Sequence, residues 1–144
     1  MKIINRRARH DYQLFENFEA GIALTGSEVK SVRTGRGDLA PSFVRIKDGE
    51  AWLVGANIPR YEAGSKDYDP IRTRKLLLHK NELVSLGTKM AQQNLTLVPI
   101  SLYTKGRLVK ARVALGKGKK QYEKRDAKRK KDIERDVEQA LKGR

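Results

Sequence analysis

The stretch SFVRIKDGEAWLVGANI, residues 42–58, is a β-hairpin written into the sequence. Asp48-Gly49 is a preferred type I′ pair, because both central residues of that turn need positive φ and glycine takes it without steric cost. After the turn, Trp52, Val54, Ala56 and Ile58 alternate with their neighbours, which predicts that these four point inward from a half-buried strand. Upstream, residues 12–24 show the same period of two: Phe18, Ala20, Ile22 and Leu24 share one parity. Thr25-Gly26-Ser27-Glu28 then has the form of a capping box, predicting a short helix with Val29 and Val32 on its apolar seam, stopped by Gly35 and Gly37.

Downstream, Pro59 to Arg72 reads as an exposed loop, with Gly64, Ser65, Asp67, Asp69 and Pro70 as turn formers. Leu76-Leu77-Leu78 is a short apolar run that suits a buried strand. Asn81 is placed to cap a helix carrying Leu83, Leu86 and Met90. A second hairpin joins residues 95–103 to 108–115 around Lys105-Gly106. The first nine residues hold four cations and no acid and read as an extended basic arm. The total is about six short strands and two short helices without βαβ spacing. Closure removes exposed strand edges, so the fold expected is mainly β: a six-stranded, partly open, antiparallel OB-like barrel with short flanking helices. A two-layer α+β sandwich is the alternative.

Two parts of unequal character follow. Residues 1–116 hold nearly all the large apolar side chains and read as one barrel with its basic arm. Residues 117–144 carry twelve Lys/Arg against six Asp/Glu and few large apolar groups, too few to order the segment alone. Ile133, Val137 and Leu141 recur every fourth residue, so the tail can become an amphipathic cationic helix against a polyanion. The net charge of +15 is shared between tail and barrel, which fits a nucleic-acid footprint. From Lys105 to Lys131 there are thirteen cations against two acids. Neutralising about six phosphates would give a log–log salt slope near −4 to −5.

Other classes find little support. There is no cysteine, hence no disulfide and no thiolate zinc site. No apolar h-region opens the chain and no run approaches a membrane span, so a soluble, cytosolic, non-membrane protein is expected. His10 and His79 have no plausible Ser or Cys nucleophile in pattern and no third ligand, so neither enzyme nor metal chemistry is indicated. No RRM-type aromatic pair, KH loop or helix-turn-helix signature is present, which points to a folded RNA read through shape and phosphates. Lys110 and Arg112 lie on the strand face opposite Val109, Ala111, Val113 and Leu115, a line of cations leading into the tail. A solvated strand face is the bland alternative. Tyr122, alone in the cationic tract, could stack on a base or simply be exposed.

The blocks NRRARHDY (5–12), FEAGIALTGSEVKSVR (18–33), LVGANI (53–58), RTRKLLL (72–78), SLY (101–103) and GKGKKQYEKR (116–125), in this order and spacing, closely resemble the small protein B family, the SsrA RNA-binding proteins of bacterial trans-translation. The resemblance runs from about Asn5 to Arg125. It implies a six-stranded OB-like barrel that binds the tRNA-like domain of transfer-messenger RNA (tmRNA) and fills the volume of a missing anticodon stem. It implies delivery with elongation factor Tu to the empty A site of a stalled ribosome, where translation resumes and a degradation tag is added. The protein would be a monomeric, cofactor-free adaptor without bond chemistry. A ribosomal or translation-factor OB-fold protein on rRNA is the rival. By block, Asn5, Glu19, Leu77 and Lys110 match positions associated with tmRNA contact, although an apolar Leu77 on its own suggests core burial. His10, Lys117, Gly118, Lys119, Lys120, Tyr122, Lys124 and Arg125 match the ribosome-facing side and the tail, which in the family lies as a helix in the vacant message channel. The family's Asp-Lys-Arg is Glu123-Lys124-Arg125 here.

Overall fold

The computed structural model describes residues 2–61 and 67–119. Its elements are β1 (Lys2–Ile4), α1 (Ala8–Asp11), β2 (Tyr12–Ile22), α2 (Gly26–Arg33), β3 (Phe43–Lys47), β4 (Glu50–Val54), β5 (Arg74–Leu77), α3 (Lys80–Gln93), β6 (Thr96–Lys105) and β7 (Leu108–Gly118). All strand pairings are antiparallel, in the order β1-β6-β3-β4-β5-β2-β7. A further β6–β7 pairing closes six of these strands into a ring, as the OB-like reading expects. The seventh, β1, lies outside the ring on the free edge of β6, with Ile3 opposite Leu102.

The ring works because each strand sends one parity inward. Val109, Ala111, Val113 and Leu115 from β7 join Ala20 and Ile22 from β2, and Leu97 and Leu102 from β6, in one core cluster. Helix α3 adds Leu86, buried to 1% exposure, with Leu83 and Met90 packed alongside. Burying such a leucine stabilises by about 1.5–3 kcal/mol. Pro99, buried in β6, stands where the pairing with β7 shifts register before Ser101, an irregularity of the kind at which a sheet accepts proline.

Four expectations need correction. The first nine residues are not a free arm: β1 is paired, and α1 adds a third helix among the described residues. Only Ile3 and Ala8 are buried apolar anchors there, too few for a periodic signal. In β4 the inward residues are Ala51 and Leu53, both at 0% exposure, while Trp52 and Val54 face out. Ala56 and Ile58 are inward as expected, because Gly55 at φ +84° breaks the alternation between them. Helix α3 is capped by His79, whose N–H donates to Glu82 Oε1 at 3.2 Å, and Asn81 lies in its first turn. Leu77 is exposed, while Leu76 is the buried member of its run. Asp48 and Gly49 both have positive φ, and the capping box at Thr25 is intact, as the sequence predicts.

The end of α2 is fastened by a buried ion cluster. Glu28, with no exposed side-chain surface, accepts from Arg74 Nε at 2.6 Å and from Arg72 Nη2 at 2.6 Å. Arg74 is equally buried and donates further to the carbonyls of Ala56 and Pro70. Burial pushes the Glu28 carboxyl up, but Arg72, the Thr25 N–H and Arg74 outweigh it and hold the group below the ordinary range.

Candidate nucleic-acid interface

On the outer surface of the ring, β5, β2, β7 and β6 lie side by side. Leu77 stands opposite Gly21, Gly21 opposite Lys110, and Lys110 opposite Tyr103. The next row of the same face pairs Glu19 with Arg112. Four sequence-predicted residues, Glu19, Leu77, Lys110 and Arg112, are therefore brought together. Gly21 matters through what it lacks: a Cβ there would come within 3.2 Å of Leu77 Cβ, so its bare backbone lets Leu77 lie low across the strand.

Polar contacts hold this face in shape. Glu19 accepts a short hydrogen bond from the Tyr103 hydroxyl and pairs with Lys105 Nζ at 3.3 Å and, loosely, with Arg112 Nη2 at 3.9 Å. Arg112 Nη1 donates to Asn17 Oδ1 at 2.9 Å, and its guanidinium lies 5.9 Å from the Tyr103 ring centre. The Tyr103 hydroxyl and Lys105 hold the Glu19 carboxyl below its usual range, so it is an anion at neutral pH. The Tyr103 phenol is pushed up by burial and by its bond to Glu19, and stays a donor. The result is an acceptor flanked by cations beside an exposed apolar side chain, a set that suits guanine edges, 2′-hydroxyls and phosphates at once.

Tyr103, Lys105 and Asn17 were missed as parts of this face. The signal was available: a hairpin turning at Gly106 places Tyr103 directly across from Lys110. Asn5 stands apart. It is 7% exposed and its Nδ2 donates to Pro99 O at 2.8 Å, tying the end of β1 to β6, while its Oδ1 has no partner among the described residues.

A second group forms at the far end of β7. Lys117 pairs with Gln13 and Gly118 with Tyr12; the Lys119 N–H donates to Asp11 O at 2.9 Å and its Nζ to Arg9 O at 2.7 Å. This brings Lys117, Gly118 and Lys119 alongside α1, where exposed His10 bonds to Asp11 Oδ1 at 2.8 Å. Eight residues of strand separate Lys110 from Gly118, about 27 Å if straight. Lys120, Tyr122, Glu123, Lys124, Arg125 and the Ile133, Val137, Leu141 stripe lie outside the described residues.

The SmpB protein family model matches residues 2–143. The chain is a member of the SmpB family. It is 50% identical over 141 residues to the SsrA-binding protein of Sulfurihydrogenibium sp., covering 97% of this chain and 93% of that one. The SsrA-binding protein of Carboxydothermus hydrogenoformans is also 50% identical, over 97% of this chain and 95% of the relative. A chain in a solved structure described as "tmRNA-SmpB: a journey to the center of the bacterial ribosome" superimposes with a TM-score of 0.69 at 51% identity, covering 83% of this chain and 85% of that one.

Proposed function

We propose that this chain is a tmRNA-binding adaptor of ribosome rescue. The outer face of β5, β2, β7 and β6 grips the tRNA-like domain of tmRNA through Leu77, Glu19, Lys110 and Arg112, with Asn5 holding the adjoining strand end. His10 and Lys117–Lys119 face the ribosome, and residues from Lys120 onward, including Tyr122, Lys124 and Arg125, enter the vacant message channel and order there as a helix. Residues 1–116, with the end of β7 that pairs with β2, work as the binding barrel, and the residues beyond work as the tail. Elongation factor Tu is the delivery partner, the cytoplasm is the compartment, and the protein acts as a monomer without bond chemistry. The observation that carries this reading is the convergence of Leu77, Glu19, Lys110 and Arg112 on one outer face of a family-matched fold.

The test combines binding and tagging. Full-length protein should bind tmRNA in preference to elongator tRNA and duplex RNA, with affinity falling steeply as salt rises. Truncation after Lys119, which spares the β2–β7 pairing, should leave tmRNA binding within a few-fold of the intact chain and abolish tagging on stalled ribosomes. Equal loss of both refutes the division between barrel and tail. Stable binding to ribosomal subunits without tmRNA would instead favour an rRNA-binding protein.

A further inference from the structure

The half of the ring facing away from β7 has a surface of its own, since β4 is three strands from β7 in either direction. Its centre is Trp52, which is half-buried and lies directly between Arg45 on β3 and Lys75 on β5. Lys47 and Glu50 form the next cross-strand pair, and Phe43, 46% exposed, lies across from Val54. An open groove of about 400 Å³ here is lined by Trp52 and Val54, the cations Arg45 and Lys47, the acids Asp48 and Glu50, and Thr73. Lys75 Nζ is held by Glu50 Oε1 at 2.8 Å, whereas neither Arg45 nor Lys47 has an ion-pair partner among the described residues. With Glu50 engaged by Lys75, Arg45 and Lys47 outweigh Asp48 by one positive charge, and an aromatic beside that excess attracts a flat ring attached to a negative charge. The volume lies in the range of small-ligand pockets, room for one nucleotide.

We infer that this groove is a second RNA site, which takes one unpaired nucleotide of single-stranded RNA: the base stacks on Trp52, and Arg45 and Lys47 meet its flanking phosphates. Neither an acidic peptide nor duplex RNA satisfies the same groove. The peptide brings charge without a ring, and the duplex keeps its bases stacked inside. The site is separate from the Lys110 face and does not depend on the proposed role of that face.

Trp52 is the sole tryptophan of the chain, so its fluorescence reports this groove and no other. Hexauridylate and hexaadenylate are titrated into the full-length protein. The expected result is saturable quenching, with a log–log salt slope near −1.4 for about two phosphates. The Arg45→Ala/Lys47→Ala double variant should need at least tenfold more oligonucleotide for half-quenching, while its tmRNA affinity stays within twofold of the parent. Lys110→Glu should leave the quenching unchanged, so a failure of the tmRNA reading is scored separately. A labelled hexamer should bind Trp52→Leu several-fold more weakly, since one stacked base contributes between fivefold and a hundredfold by substitution. No quenching up to millimolar oligonucleotide overturns the inference. So does equal quenching by polyglutamate, inorganic polyphosphate or duplex RNA.

Discussion

Replacing Glu28 by Gln tests the central packing argument. Gln has the same length and still accepts the Thr25 N–H, so the helix cap survives. What disappears is the negative charge facing Arg74, whose side chain has no exposed surface and therefore no water to turn to. Removing one partner from a buried pair leaves an uncompensated charge and costs about 3–5 kcal/mol. For a domain of this size each kcal/mol shifts the melting midpoint by about 3–5 °C, so the expected drop is roughly 10–20 °C. Thr25→Ala, which breaks only the cap, should cost about 1 kcal/mol. The assay is thermal denaturation by circular dichroism, supported by urea unfolding. Adding Arg74→Met to Glu28→Gln removes the orphaned cation, so the double variant should melt higher than Glu28→Gln alone. A Glu28→Gln shift under about 3 °C would refute the reasoning, because it would mean that Arg74 reaches solvent in the folded protein.

The acid limb of stability follows from the same group. Glu28 and Glu19 both have folded values below their unfolded ones, so their contribution is complete above the unfolded value of about 4.3 and is lost as pH falls through the folded value. Melting midpoints should therefore drop steeply below about pH 4, and Glu28→Gln should flatten that slope. Lys110→Glu and Glu19→Lys should each weaken tmRNA binding at least tenfold in a filter-binding assay with melting midpoints within a few degrees of the parent; a large loss of stability would show that the face assignment is wrong. Gly55→Ala should destabilise by about 1–2 kcal/mol in urea unfolding, since a side chain at positive φ is strained and its Cβ would sit 3.0 Å from Pro41 O.

The turns were legible because their chemistry is local. Asp48-Gly49, Thr25 with Glu28, and Gly106 each announce a backbone geometry within four residues, and the strands between them follow by alternation. What escaped needed a partner from elsewhere in the chain. Arg74 in RTRKLLL looks like one of several outward cations, and only the fold reveals that Glu28, 46 residues earlier, draws it inside. The outward turn of Leu77 is equally non-local: an apolar run does not say which member faces the core, and in the fold Arg74 and Leu76 take the inward parity while Gly21 on the neighbouring strand leaves room for Leu77 outside. Gly55 inverted the parity of Trp52 and Val54 because one positive φ resets the count. His79 was passed over as a cap because its ring is not among the usual capping side chains, yet Glu82 supplies the acceptor. For the candidate interface, strand parity showed Lys110 and Arg112 on one face and the family resemblance pointed to Glu19, but the clamp of Tyr103 and Lys105 on Glu19 required the register between β6 and β7.

Because β7 carries Lys110 and Arg112 near one end and Lys117 and Gly118 at the other, a single strand sets the span between these two groups of side chains. From Lys110 to Gly116 it runs between β2 and β6, which hold it on both edges. Its residue count is thus a gauge. Losing one residue would turn half its side chains over, and losing two would restore the faces but draw the ends together by about 7 Å. Tolerance for insertions should accordingly reside in the surface loops, while this strand keeps its length.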